Sequence, residues 1–146
     1  MYMSNMGIWV SGPQGGEVPV TLGAMATMAA MSFCKQLNIH RLKTSIQIRF
    51  HKNIVVERGT TTEGLCDCID KRTFIIDVAL YSNWMSILAH ELVHVKQFAR
   101  GELNPQLTHW KKRNFSNAEY WDQPWEKEAR RLQLKLVQSF EDGEFI

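Results

Sequence analysis

The sequence is poor in cysteine and proline and has no long apolar run, and each shortage excludes a class of protein. Its three cysteines, Cys34, Cys66 and Cys68, do not make a disulfide framework. The count is odd, and Cys66 and Cys68 stand two apart in a stretch that reads as a strand. Reduced thiols in a cytoplasmic protein are the simpler expectation, and a Cys-x-Cys metal site lacks a supporting second pair. Four prolines and nine glycines are too few for a collagen-like or low-complexity chain. The longest apolar run, Leu22 to Cys34, is shorter than the roughly 20 residues that span a bilayer. No basic segment precedes it, as a signal peptide would require, so a buried Ala/Met-rich helix is expected there and no membrane partner. Neither sign of charge dominates: Lys+Arg 17 against Asp+Glu 15 gives +2. That balance argues against a dedicated nucleic-acid binder, whose affinity depends on neutralising phosphates.

What is present is a composition of 45% hydrophobic and 22% charged residues over 146 positions. One domain spanning 1–146 is expected, long enough to remove roughly 70% of its unfolded surface from water. Residues 1–20, with SGPQGGEVP, read as an irregular arm or a short edge strand. Thr21 is a candidate cap for a helix running to about Asn38. The period then changes. In TSIQIRFH (44–51), Ile46, Ile48 and Phe50 alternate with polar residues, as in a half-buried strand. TTEGLCDCID (61–70) and RTFIIDVAL (72–80) are further strands, the latter with Phe74, Ile76, Val78 and Leu80 on one face. Their short Asp70-Lys71 connection predicts a hairpin.

A helix is predicted from about Asn83 to Ala99, with Gly101 as its stop. Residues 102–122 read as irregular, and Lys111-Lys112-Arg113 as a solvated run with a lesser reading as a local basic patch. Pro124 suits the first turn of a last helix with an apolar stripe of Trp125, Ala129, Leu132, Leu136 and Phe140. The expected fold class is α+β: an N-terminal helix, a sheet of three to four strands, and two further helices.

The segment LAHELVHVKQ decides the chemistry. Residues four apart on a helix differ by about 40° in direction, so His90 and His94 can converge on one metal ion. Glu91 lies on the flank of that face, able to reach a water at the metal without ligating it. Zinc suits two neutral imidazoles plus a carboxylate, and lowers the pKa of bound water to near 7. A catalytic zinc needs a third protein ligand. Gln97, Gly101 and His109 are out of register for a histidine that closely follows the motif. His109, Glu119, Asp122, Glu126 and Glu128 are the next candidates. Glu126 ranks first, being in the first turn of the last helix, whose stripe should pack against the motif helix. Glu128 ranks second and His109 third. A hydrogen-bond donor to the developing oxyanion is also required; His109, Tyr120 and Tyr81 are available. Trp84, Trp110, Trp121 and Trp125 are expected to pack around the last two helices.

His90-Glu91-Leu92-Val93-His94, with Gln97 and then Pro124-Trp125-Glu126-Lys127-Glu128-Ala129, resembles the zincin metallopeptidases. The closest likeness is to the compact, gluzincin-like (minigluzincin) group, with relatives among the SprT-like and ImmA/IrrE-like domains of bacteria and phages. The resemblance covers roughly residues 61–140. It implies a minimal zincin fold, Zn2+ held by His90, His94 and Glu126, Glu91 as general base, and a peptide or protein substrate laid along a sheet edge. Gly64–Asp70 is the candidate edge, since Gly64 permits close backbone approach. Arg130 departs from the pattern, because larger gluzincins often carry an acidic residue there that orients a ligand histidine; Glu128 is its candidate substitute. The rival functions are a dedicated regulatory protease or metal-sensing regulator, a DNA-associated protease of the SprT-like kind, and a catalytically inert peptide-binding module.

Overall fold

The computed structural model describes residues 6–56 and 61–144; residues 1–5 of the expected arm lie outside the described residues. The architecture is α+β. In chain order the main elements are β1 (Gly7–Ser11), α1 (Val20–Gln36), β2 (Ser45–His51), β3 (Ile54–Val55), β4 (Thr61–Thr62), β5 (Gly64–Asp70), β6 (Thr73–Ala79), α2 (Trp84–Ala99), β7 (His109–Trp110), β8 (Arg113–Asn114) and α3 (Pro124–Glu141).

Part of the presumed arm is a strand: β1 pairs parallel with β2, Ile8 opposite Ile46. β2 pairs parallel with β6, and β5 closes back antiparallel on β6. The main sheet therefore runs β1-β2-β6-β5, with β5 last in order. The expected hairpin is the β5–β6 pair, but the stretch from Thr61 breaks at Glu63, and Thr61–Thr62 pair with β3 instead.

The two-residue period decides which face is covered. Ile46, Ile48, Phe50, Phe74, Ile76 and Val78 are fully buried, in one cluster with residues of all three helices. Leu80 does not join them; it lies beyond the end of β6 and is exposed. On the opposite face Trp9 and Ile69 are exposed, and buried Asp77 accepts hydrogen bonds from Arg49 Nε at 2.8 Å and Arg49 Nη2 at 3.1 Å. Burial raises the Asp77 pKa, but the bonds from Arg49 and from His51, 2.6 Å away, outweigh it and leave it below the ordinary value.

α1 begins at Val20, with Pro19 rather than Thr21 in the capping position. It is buried on one face only: Ala26, Ala29, Ala30 and Phe33 face the core while Met25 and Met28 are half exposed. All three helices end in the same way. Asn38, Gly101 and Gly143 adopt φ of 58°, 72° and 75°, and the amide after each reaches back to the carbonyl of Cys34, Gln97 and Ser139 respectively. That is the Schellman closure, which needs a left-handed residue just past the helix.

Residues 102–122 are more regular than expected. They carry the small β7–β8 hairpin and a 3-10 turn at Tyr120–Asp122. Trp84 packs edge-on to Phe50 and Trp125 is buried. Trp121 departs from the packing expectation: it is 68% exposed, with the Arg130 guanidinium 4.4 Å from its ring. None of the helices among the described residues is long and apolar enough to cross a membrane.

Candidate metal centre

α2 and α3 pack closely, Ala129 being fully buried, and that contact assembles the site. His90 and His94 project from successive turns of α2, ring centroids 5.0 Å apart. Glu126, from the first turn of α3, places one carboxylate oxygen 2.9 Å from His90 Nε2 and the other 3.2 Å from His94 Nε2. One ligand atom from each of the three lies within 4.8 Å of the others, so the group could hold a metal ion.

Two glutamines set the tautomers. His94 Nδ1 lies 2.7 Å from Gln97 Oε1. The Gln97 amide nitrogen is committed elsewhere, donating to the Trp125 carbonyl at 2.9 Å and to Glu128 Oε1 at 3.1 Å. Its oxygen is therefore the atom turned to His94, and His94 Nδ1 must donate. His90 Nδ1 lies 2.6 Å from Gln133 Oε1, and with that amide oxygen as acceptor it too donates. Each neutral imidazole then turns the lone pair of Nε2 toward a carboxylate oxygen. Lone pair facing lone pair at hydrogen-bond distance requires a cation or protons between them. With protons there, burial lowers the pKa of His94, but the Glu126 carboxylate outweighs it and lifts the pKa to about 9. His90 is raised by the same opposition of burial and Glu126. Burial works against the Glu126 carboxylate, yet the two imidazoles hold it far below the usual range. Two imidazole nitrogens and a carboxylate oxygen are a donor set that could hold a divalent cation in that shared space.

Glu91 lies in the same cavity of about 230 Å³, which is also lined by Gly64, Cys66, Leu107, Tyr120 and Trp125. It is 7% exposed, and burial pushes its pKa up against the two histidines. Gly64 is closely approached by the protein's own side chains: a Cβ there would stand 2.7 Å from Ile87 Cγ2 and 3.0 Å from Glu91 Oε2. Tyr120 Oη donates to Glu126 Oε1 at 3.0 Å. Burial, then the nearby Glu126 charge, pushes its phenol up to about 12, so it stays a donor at neutral pH.

Several sequence candidates are not brought to the triad. Glu128 accepts from Lys96 at 2.9 Å and from Gln97, two bonds removed from His94. His109 is exposed on β7, bonded through Nδ1 to Thr108 Oγ1 at 2.8 Å, and lines the neighbouring cavity instead. Glu119 and Asp122 are exposed. Tyr81 packs against the core and does not line the site. Arg130 stacks outside, donating to the Trp121 carbonyl at 2.9 Å. The orienting residues that sequence reading missed are Gln133 and, in that role, Gln97. Both carry a periodic signal: Gln97 is three residues after His94, and Gln133 is seven after Glu126, so each shares a helix face with a ligand candidate.

Compared with known proteins, the chain matches no family model, no curated protein and no solved structure.

Proposed function

We propose that the chain is a zinc-dependent metallopeptidase of minimal zincin type. The observation that carries this reading is the convergence of His90, His94 and Glu126 from two helices, their tautomers set by glutamines, with buried Glu91 in the same cavity. His90, His94 and Glu126 would hold the ion. A zinc there would supply Lewis acidity to a carbonyl oxygen and acidify a water.

The remaining steps belong to the chain's own groups. Glu91 takes the proton of the attacking water on its carboxylate and delivers it to the leaving amine nitrogen. Its raised pKa brings it closer to neutral, where a group can serve as both base and acid. Gln97 and Gln133 hold the imidazoles so that Nε2, not Nδ1, faces the substrate side. Tyr120 is the group we assign as donor to the developing oxyanion, since its hydroxyl already reaches the Glu126 carboxylate and remains protonated. β5, last strand of the main sheet, offers main-chain groups to an extended peptide by strand addition. The substrate class is peptide or protein, in a reducing, cytoplasmic setting that suits three free cysteines.

The test combines metal content with turnover. Purified protein should bind one zinc per chain, and Glu91→Gln should keep that zinc while peptide hydrolysis falls by roughly 10²–10⁴-fold. Absence of stoichiometric zinc, or unchanged hydrolysis in the variant, overturns the proposal.

A further inference from the structure

The cleft changes character along β5. Gly64, Cys66 and Cys68 lie on the same face of the strand. Gly64 packs against Glu91, and Cys66 lines the triad cavity. Cys68 lines the next one, of about 360 Å³. Phe98 belongs to both cavities, so the two adjoin.

This second cavity has an apolar floor and a cationic rim. Phe98 and Leu103 are buried, at 5% and 2% exposure, while Lys71 and Lys112 are exposed at its mouth. Its one lining carboxylate, Glu102, lies 2.8 Å from Lys96 Nζ, an ammonium it shares with Glu128, while Lys71 and Lys112 together bring two positive charges to the rim. Among the described residues neither Lys71 nor Lys112 makes an ion pair.

The backbone that presents Lys112 is strained. Lys111 and Lys112 adopt φ of 49° and 73°, a pair of left-handed positions that hairpins usually fill with Asn-Gly. The turn is nonetheless held: Lys111 N donates to the Glu102 carbonyl at 2.7 Å, and Trp110 bridges to Leu103. Strain of this kind persists where surrounding structure enforces it, and it concentrates at binding sites. At the opposite end of the cleft the lining is polar and includes Glu63, so the groove carries opposite charges at its two ends.

We propose that the cavity between the Cys68 end of β5 and the β7–β8 hairpin is a subsite for an acidic substrate side chain, its stem on Phe98 and Leu103 and its carboxylate between Lys71 and Lys112. The assignment rests on the peptidase reading. Strand residues advance about 3.3 Å each, and Cys68 is four positions from Gly64. The side chain that enters therefore belongs to a residue two to four positions from the scissile bond.

The experiment uses one peptide scaffold carrying Glu, Gln or Lys at each of four positions on either side of the bond. Cleavage is measured as kcat/KM on the intact enzyme, and binding by fluorescence anisotropy on Glu91→Gln protein. The expected result is a preference for Glu over Lys of about fivefold to tenfold at one position, as for two partly exposed ion pairs. The preference should weaken with added salt and invert in the Lys71→Glu/Lys112→Glu double variant. Both lysines are at the surface, so the variant should fold, and circular dichroism checks that it does. Equal cleavage and binding of the Glu and Lys peptides, or a preference that survives charge reversal, overturns the subsite. Charge-dependent binding without cleavage of any peptide supports the subsite and overturns the peptidase reading instead.

Discussion

Gly64→Ala tests how tightly β5, α2 and the Glu91 carboxylate are fitted together. Gly64 has an ordinary extended backbone, so the substitution brings no conformational strain and its whole effect is steric. The new Cβ would meet Ile87 Cγ2 at 2.7 Å and Glu91 Oε2 at 3.0 Å, where an ordinary contact begins at 3.4 Å. Ile87 must therefore give about 0.7 Å (3.4 minus 2.7) and the carboxylate about 0.4 Å (3.4 minus 3.0). Ile87 is 5% exposed and packed in the core cluster, so it has little room to move. Overpacking of this kind costs about 1–3 kcal/mol. The reduced freedom of the unfolded chain returns about 0.4–1 kcal/mol, which leaves the steric cost dominant. A net loss of about 1–2 kcal/mol lowers Tm by roughly 2–8 °C in a domain of this size. Displacing a catalytic group by about 1 Å costs on the order of 10²-fold in rate, so a shift of a few tenths of an ångström should cost roughly tenfold. Differential scanning calorimetry, zinc content and peptide turnover are measured together. Lower Tm and lower turnover with full zinc occupancy are expected. Unchanged Tm and turnover would refute the close packing of β5 on Glu91, and loss of the zinc would refute confinement of the effect to that carboxylate.

Further outcomes separate the residues around the triad. Glu126→Gln should abolish stoichiometric zinc binding, whereas Glu128→Gln should retain it, as isothermal titration calorimetry can show. Gln97→Leu and Gln133→Leu should each weaken zinc affinity by roughly 10–100-fold through loss of the imidazole anchor. Gln97→Leu should also cost about 1–3 kcal/mol in urea unfolding, because it strands the buried His94 Nδ1 donor. In metal-free protein, His94 has a raised pKa, so its contribution to stability is complete below its ordinary pKa of 6.5 and is lost as pH rises through about 9. The depressed Glu126 contributes above its ordinary 4.5 and loses its contribution only in strong acid. Metal-free protein should therefore be less stable at pH 9 than at pH 6, while zinc affinity rises over the same interval as protons leave the site. A pH-independent affinity would refute protons as the occupants that zinc displaces.

Much of this site was legible in one dimension because its parts obey helical periodicity. His90 and His94 are one turn apart, so local helix geometry places them together whatever the rest of the chain does. Glu126 was within reach of the same reasoning because Pro124 marks a helix start and the stripe of Trp125, Ala129 and Leu136 marks the face that packs. The structure puts Glu126 rather than Glu128 beside the two imidazoles: residues two apart on a helix point some 160° apart, so the two carboxylates meet different parts of α2. Glu128 turns instead to Lys96 and Gln97. His109 was harder to place, because residues 102–122 have little period and the position of β7 depends on a bridge to Leu103 and on strained turns.

Chain order and side-chain type by themselves determined the α+β class, the buried face of β2 and most of that of β6, the stop of α2 at Gly101, the start of α3 at Pro124 and the pairing of two histidines on α2. These follow from local geometry, in which the period and the left-handed residue after each helix are properties of the chain itself. Only the tertiary structure decided that β1 lies parallel beside β2, that Gln133 of α3 reaches His90 on α2, that Gly64 abuts Glu91, and that a lysine-rimmed cavity continues the cleft. Those relations join residues as much as 43 positions apart in the His90–Gln133 contact. They arise from packing α2 against α3 and the sheet, and no local pattern of residues encodes how two packed surfaces meet.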